Sequence, residues 1–493
     1  MSIKLIPDTP YRKIFWLGLL VQVIAAWFSV GYNHSDEHFQ VLEFCNYKLG
    51  LSPASALPWE FGAQCRPGLQ PFIAFCVCRG LQLIGLYNPF RAAFLLRLGM
   101  GLLTWVVTCR IVLLMLPQFV TDKGKRAYVW CSFLLWFVPY IGVRFSAESF
   151  SGVLFFLAIS LLLDLNGYTS TKRNLRLLFA GLLLGFTLVL RLQMAFAFAG
   201  LGLWLILYSK WRFSDWLIII IAGLAAIGLG AVTDHWLYGD WVFTPYNYYY
   251  VNIVQHKAAN FGTAPWWEYF VMFIDYAVPP ISIILLPLFL YGIWKKPRHL
   301  FTWISVAFIA GHCLIAHKEM RFLLPVSIAF IYLVCSGVDA LAQRYDCKKG
   351  FRWALNVVAG INIALLLIKI FTPAHEAVNY YKFIYNYAQA QPTTLISYEK
   401  SPYSPIGLEM NFYKPASLQT VIVNTPEEVS AVMNSTQGRS VLFLNPETQA
   451  LPVIASIHKE NIYCILPDWP FLNINDWESR SYIWSVYKLS AAK

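Results

Sequence analysis

Charge is scarce in this chain. Of its 493 residues only 13% are Asp, Glu, Lys or Arg, against about 25% in soluble domains. Hydrophobic residues make up 58%, and mean hydropathy is +0.53. That balance excludes an ordinary soluble domain and indicates a polytopic membrane protein. CxxC pairs are missing: Cys76 and Cys78 stand two apart and the rest of the ten cysteines are scattered, which argues against a zinc site. There is no nucleotide-binding fingerprint, no internal repeat and no low-complexity run. No small-residue cleavage site follows the first apolar stretch, 14–32, which is long enough to span. Acidic residues are the minority, 26 against 38 basic, for a net charge of +12. The excess does not point to nucleic acid, because Lys and Arg fall in short clusters between apolar runs, the positive-inside pattern.

Those apolar runs are what the sequence has in quantity. Segments long enough to cross the hydrocarbon core read as 14–32, 92–116, 127–143, 147–165, 175–191, 192–209, 215–234, 279–294, 300–316, 322–341 and 353–372, eleven in all. With Lys4, Arg12 and Lys13 in the cytoplasm, the clusters around Lys123, Lys172, Lys210, Lys295 and Lys348 all face the cytoplasm as well. Segment 69–91 carries Arg79 and Gln82, and a twelfth span there would reverse every later cluster, so it reads as an interfacial or re-entrant helix. The expected class is therefore an all-α polytopic bundle over 1–373. The loops 33–68, 144–146, 235–278 and 317–321 lie on the non-cytosolic side, with everything after 373.

From 374 the composition changes. Alternating runs at Thr393–Tyr398, Thr420–Val423, Ser440–Leu444, Ile462–Leu466 and Tyr482–Tyr487 read as strands. Thr425-Pro426-Glu427-Glu428 opens a helix. A small outer α/β domain over 374–493 is expected. Cys45 and Cys65 fall on the outer side, where a disulfide is chemically possible.

Three stretches carry groups suited to chemistry. The first is Asn33 to Phe44, where Ser35 reads as an N-cap and Asp36 and Glu37 occupy the first turn. Asp36, Gln40 and Glu43 then share one helix face. A solvated cap is the plainer reading. The second is His317-Lys318-Glu319-Met320-Arg321, three potential cations at the outer boundary, the wrong side for the positive-inside rule. A phosphate at the membrane surface would account for them; pairing with Glu319 and lipid headgroups is the alternative. The third is Trp59-Glu60 with Arg66, able to stack on a sugar and accept from its hydroxyls. Arg191, Arg144 and Glu148 lie at the outer ends of spans, where charge is expensive and usually functional; a simple pairing of Arg144 with Glu148 is the alternative. The aromatic loop 235–278 suits an interfacial belt or a surface that stacks on sugars. Together these parts suit a lipid-linked sugar phosphate: cations hold the phosphate while a carboxylate takes the proton of an attacking hydroxyl. A transporter or flippase is the competing class, and the missing internal repeat speaks against it.

The elements Asp36-Glu37-x-Phe39-Gln40-x-x-Glu43, Trp59-Glu60…Arg66, Asp234…Tyr238-Gly239…Asn252, Gly262…Pro265-Trp266, His317-Lys318-Glu319-x-Arg321-Phe322-x-x-Pro325 and Ser401-Pro402-Tyr403-Ser404 occur in one order. In that order the chain resembles the multi-span mannosyltransferases of GPI-anchor and N-glycan precursor assembly, glycosyltransferase family 22 of the GT-C superfamily. The resemblance implies a dolichyl- or polyprenyl-phosphate mannose donor, a glycan or glycolipid acceptor, inversion at the anomeric carbon, and no cofactor or tightly bound metal. It implies Asp36 as general base with Glu37 beside it, and His317, Lys318 and Arg321 at the donor phosphate or organising the site. It places Trp59, Glu60 and Arg66 at the border of the acceptor. Two departures stand out: Arg66-Pro67 replaces the usual Arg-Ser, and Tyr398-Glu399-Lys400 stands where a Cys-His pair precedes the last motif. A related enzyme moving another sugar therefore stays open. The expected membrane is the endoplasmic reticulum in a eukaryote and the inner membrane in a bacterium.

Overall fold

A computed structural model describes residues 10–165, 168–345, 349–375, 377–436, 438–446, 457–464 and 484–491. Two compact units emerge. One comprises Met1–Ser29, Trp59–Val77 and Ala93–Pro373; the other comprises Val30–Pro58, Cys78–Ala92 and Ala374–Lys493. The segment from Ala374 belongs to the second unit. It shares its unit with 30–58 and 78–92, which the sequence reading assigned to the membrane part.

Every expected apolar span carries a helix, from Arg12–Phe28 to Lys349–Phe371. Five helices are long and apolar enough by themselves to cross a bilayer: Pro89–Gln118, Ser170–Leu190, Phe213–Tyr238, Met320–Ala342 and Trp353–Phe371. Others are shorter, such as Ile281–Lys295 and Leu300–Leu314, at about 1.5 Å of rise per residue roughly 22 Å each. The stretch read as 127–143 is broken in two, Asp122–Leu134 and Val138–Gly142, with Pro139 opening the second piece. The interfacial segment forms a helix over Leu69–Leu83, and residues 89–91 belong to the helix that follows. Large apolar side chains such as Ile220, Ile221, Leu224, Ile363 and Ile368 point outward, as a hydrocarbon solvent favours.

Inside this unit the helices are held by aromatic packing and small residues. Phe156, Phe301, Tyr332, Tyr128 and Phe119 form a continuous buried ring stack. The helix pair Ile281–Lys295 and Ser327–Ala342 approaches closely at Gly292, where a Cβ would lie 1.9 Å from the Leu333 carbonyl oxygen. A small residue is required at such a crossing. On the side read as cytoplasmic, Arg173 forms a bidentate pair with Asp215, Arg176 donates to Asp164 at 2.8 Å, and Asp339 accepts from Thr121 N and Oγ1 at 2.8 and 2.7 Å.

The second unit carries a five-stranded sheet: β1 Thr393–Tyr398, β2 Leu418–Val423, β3 Ser440–Pro446, β4 Ile457–Cys464 and β5 Trp484–Ala491, in the order β2-β1-β3-β5-β4. β1 pairs in parallel with β2 and β3, while β5 runs antiparallel to β3 and β4. All five expected strands have a counterpart, and of the expected Ile462–Leu466 and Tyr482–Tyr487 the positions 465–466 and 482–483 lie outside the described residues. β1 is buried along nearly all its length, as a central parallel strand is. Thr425 caps the Pro426–Ser435 helix through Glu428 N, and Val429 from that helix packs on Ile396, Val423, Val441, Phe443 and Leu489. The Ala377–Ala390 helix buries Ala377, Tyr381, Ile384 and Ala388 at helical spacing, and Phe383 stacks on Tyr463 of β4 at 4.4 Å.

The two thiols named from the sequence are not joined. Cys65 donates to the Glu60 carbonyl at 3.8 Å, and burial pushes its thiol up to about 11. Cys45 lies 3.9 Å from Cys78, sulfur to sulfur, well beyond the ~2.03–2.05 Å of a disulfide bond.

Candidate functional site

In the first unit, a helix start, a helix end and a tight turn bring ionic groups together. Ser146 caps the helix Ala147–Leu163 by accepting from Ser149 N at 3.2 Å, which sets Glu148 in the first turn, where the helix dipole favours a carboxylate. Arg191 ends the helix Ser170–Leu190 in extended conformation. Arg321 sits in the 3-10 turn Met320–Val326. That turn lies tight against the Glu148 helix: a Cβ on Gly152 would come within 2.6 Å of the Pro325 Cα.

Glu148 is the common anchor. Its Oε1 accepts from Arg191 Nη1 at 2.7 Å and from Arg321 Nη1 at 3.3 Å, and all three side chains are largely buried. Arg321 also grips Glu319 through Nε and Nη2. His317 places Nε2 2.9 Å from Glu319 Oε1 and Nδ1 2.9 Å from the Gly262 carbonyl oxygen. Both arginines lie over the Phe322 ring, at 4.9 and 5.2 Å. Arg191 keeps two buried N–H groups, Nε and Nη2, with no hydrogen-bond partner among the described residues. Lys318 is buried beside this group, where it donates to the Ile315 carbonyl and lies 5.8 Å from the centre of the Tyr269 ring.

The first-loop motif gathers in the same unit. Glu60 and Arg66 pair at 3.5 Å, Arg66 lies over the Tyr248 ring at 5.5 Å, and Lys257 lies over Trp59 at 5.0 Å. Residues of the aromatic loop hold this stretch through its backbone. Tyr238 donates to the Arg66 carbonyl at 2.7 Å and Asn247 to the Gln64 carbonyl at 3.0 Å, while Asp234 accepts from Gly68 N at 2.7 Å. Gln193, two residues past Arg191, donates to the Tyr248 hydroxyl. Sequence reasoning singled out Asp234 and Tyr238 as motif members without a task; the structure gives them one, fixing the Trp59–Gly68 stretch. It also missed the pairing of Glu148 with Arg191, because the two are 43 residues apart and no local spacing signals it.

The acid pair lies in the second unit. His34, not Ser35, is the N-cap: its Nδ1 accepts from Asp36 N at 3.3 Å and lies 3.4 Å from Asp36 Oδ1. Ser35, Asp36 and Glu37 form the first helical turn. The backbone then winds as a π-helix over His38–Glu43. This overturns the expected face. With i→i+5 winding, Glu43 falls beside His38 instead of below Asp36. His38 Nε2 donates to Glu43 Oε1 at 2.8 Å, both side chains are fully buried, and the same oxygen accepts from Phe412 N at 2.9 Å. Asp36 keeps 24% of its side chain exposed. Among the described residues, no three His, Cys, Asp or Glu side chains gather as metal ligands would.

Residues 13–414 match the Alg9-like mannosyltransferase family. GPI mannosyltransferase 3 of Yarrowia lipolytica is 25% identical over 389 residues, 74% of this chain and 69% of that enzyme. GPI alpha-1,2-mannosyltransferase 3 of Xenopus laevis is 24% identical, over 59% of this chain and 53% of that one. A probable Dol-P-Man:Man(7)GlcNAc(2)-PP-Dol alpha-1,6-mannosyltransferase of Schizosaccharomyces pombe is 23% identical, over 78% and 68%. Several of these relatives are thus matched over only about half to two thirds of their length. Among solved structures, ArnT from Cupriavidus metallidurans bound to undecaprenyl phosphate superposes with a TM-score of 0.57 at 10% identity, covering 98% of both chains, and so shares the fold. With the family matched over most of its length, this chain belongs to the Alg9-like mannosyltransferase family, as a membrane glycosyltransferase of the mannosyltransferase class.

Proposed function

We propose that the chain transfers mannose from a dolichyl- or polyprenyl-phosphate donor to a lipid-linked glycan or glycolipid, with inversion, on the non-cytosolic side of its membrane. The observation that carries this reading is the ionic cluster on Glu148. Two buried arginines are fixed by carboxylates, and one of them, Arg191, holds two N–H groups still unmatched by any described residue. A phosphodiester oxygen is the acceptor such an edge fits, because charge-assisted N–H···O bonds to phosphate are strong and directional.

In the reaction, the acceptor hydroxyl oxygen attacks the mannose anomeric carbon and its proton passes to the Asp36 carboxylate. The bond from that carbon to the phosphate oxygen breaks, and the electron pair leaves on the lipid phosphate. Arg191, Arg321 and Lys318 stabilise the negative charge that develops there. Glu37 stands beside the base, and His317 holds Glu319 in line behind Arg321. Trp59, Glu60 and Arg66 border the acceptor, where an aromatic face and a carboxylate suit a sugar. Eleven spans with a cytoplasmic N-terminus deliver these groups to the non-cytosolic side.

The test is transfer from radiolabelled polyprenyl-phosphate mannose to candidate glycolipid acceptors, with polyprenyl-phosphate glucose as the competing donor. Asp36→Asn is expected to abolish transfer while the protein still folds, since the amide is isosteric but cannot take the proton. Full activity in that variant would assign the base elsewhere. Transfer of glucose in preference to mannose would overturn the donor.

A further inference from the structure

We propose that a cavity within the outer α/β domain is a binding site for a neutral sugar residue of the acceptor, a reading that rests on the function proposed above. The cavity holds about 150 Å³, far above the ~10–15 Å³ that one water needs. Its polar wall is formed by Ser401, Tyr403, Ser404, Glu409, Asn411 and Lys414. None of these residues has a part in the transfer chemistry, although Ser401 to Ser404 form one of the motifs seen in the sequence.

The wall is prebuilt. Ser401 Oγ accepts from Tyr403 N at 3.2 Å, Met410 N donates to the Tyr403 carbonyl at 2.8 Å, and Lys414 Nζ donates to Thr420 Oγ1 at 2.8 Å. The Tyr403 ring packs 4.7 Å from Tyr381. Tyr403 is 4% exposed, and its hydroxyl is buried with no hydrogen-bond partner among the described residues. A buried hydroxyl left unmatched is costly and rare, and Tyr403 belongs to the lining of this cavity.

The chemistry of the wall selects that partner. One carboxylate and one ammonium balance in charge, which disfavours a phosphate, since phosphate sites gather cations. Hydroxyls, an amide, a carboxylate and an ammonium supply donors and acceptors together, as a polyol requires. Ile422, half exposed, adds an apolar surface for the C–H face of a sugar ring. An uncharged hexose meets all of these terms.

The experiment uses the full chain in lipid nanodiscs and α-linked mannobiose as the probe, read by saturation-transfer NMR, beside transfer kinetics with the lipid acceptor. Tyr403→Phe and Glu409→Gln are each expected to weaken mannobiose binding at least tenfold and to raise acceptor KM by a similar factor, with kcat within twofold of wild type. Glu409 is exposed, so its variant carries the test should the buried Tyr403 variant melt early. Wild-type mannobiose binding and acceptor KM in Glu409→Gln and in a folded Tyr403→Phe would overturn the site while leaving the transfer reading intact. Mannobiose binding that both variants lose, in a chain that transfers no mannose, would keep the site and remove that reading.

Discussion

A guanidinium with two nitrogens unmatched by any described residue and a carboxylate shared by two guanidiniums make sharply different demands on substitution. Arg191→Lys keeps the charge but loses the planar fork, so the donor KM is expected to rise roughly ten- to a hundredfold, about 1.5–3 kcal/mol for a charged hydrogen bond. An unchanged donor KM would remove Arg191 from the phosphate. Glu148→Gln acts in another way. It takes the shared anion from Arg191 and Arg321 in a buried place, where breaking an ion pair costs on the order of 3–5 kcal/mol. Lower thermal stability and lower kcat/KM should appear together, and a variant with wild-type melting would show the pair to be solvated. The acid pair was legible in the sequence because Asp36 and Glu37 stand in a short polar stretch after the first span. The Glu148 anchor was not, since Arg191 and Arg321 reach it from distant parts of the chain.

Among the elements, the π-helix His38–Glu43 shows what a residue pattern leaves undetermined. Spacing by fours and threes put Asp36, Gln40 and Glu43 on one face. The wider winding instead turns Glu43 inward to His38 and Phe412 N. Spans and strands were legible because burial imposes a period on the sequence; a π-turn is imposed by contacts that no period encodes. His375 belongs to the same unit, stacked on Tyr32 at 4.2 Å. Burial, with His38 nearby, pushes it down to about 4 from the usual 6.5. The fold therefore disfavours its proton. Its contribution to stability is complete above pH 6.5, is lost as pH falls toward 4, and amounts to at most about 3 kcal/mol. His375→Phe is expected to flatten the melting temperature over that window, and an unchanged slope would place the titration on other groups. At the helix crossing, Gly292→Val should lower thermal stability by several kcal/mol, because the added side chain meets the Leu333 backbone. Wild-type melting in that variant would mean that the two helices can separate without loss.

For the whole molecule, orientation is the consequential quantity, and it follows from where the cations lie. On the proposed topology, eleven crossings put Lys123, Lys210 and Lys296 in the cytoplasm and the 374–493 domain outside. Single cysteines placed at these lysines and at Ala416 are expected to react with a membrane-impermeant thiol reagent from opposite faces of sealed vesicles. Labelling from the same face would require an even number of crossings. The sheet was visible beforehand as a pattern of alternation, whereas the Arg173–Asp215 and Arg176–Asp164 pairs emerge only in the folded chain, their partners being 42 and 12 residues apart. The assignment of 30–58 and 78–92 to the compact unit of the outer domain was not, because it depends on contacts far apart in the chain.

Glu148 and Glu319 also bear on how the catalytic cycle ends. Arginines that meet only a phosphate would keep the spent lipid after the sugar has gone. Here Arg191 and Arg321 already have resident anions to return to, so the incoming phosphate shares them with carboxylates instead of entering an empty well of positive potential. On the proposed mechanism, the grip is strong while charge is building on the leaving oxygen and slackens once the lipid drifts away. The site is then ready for the next donor.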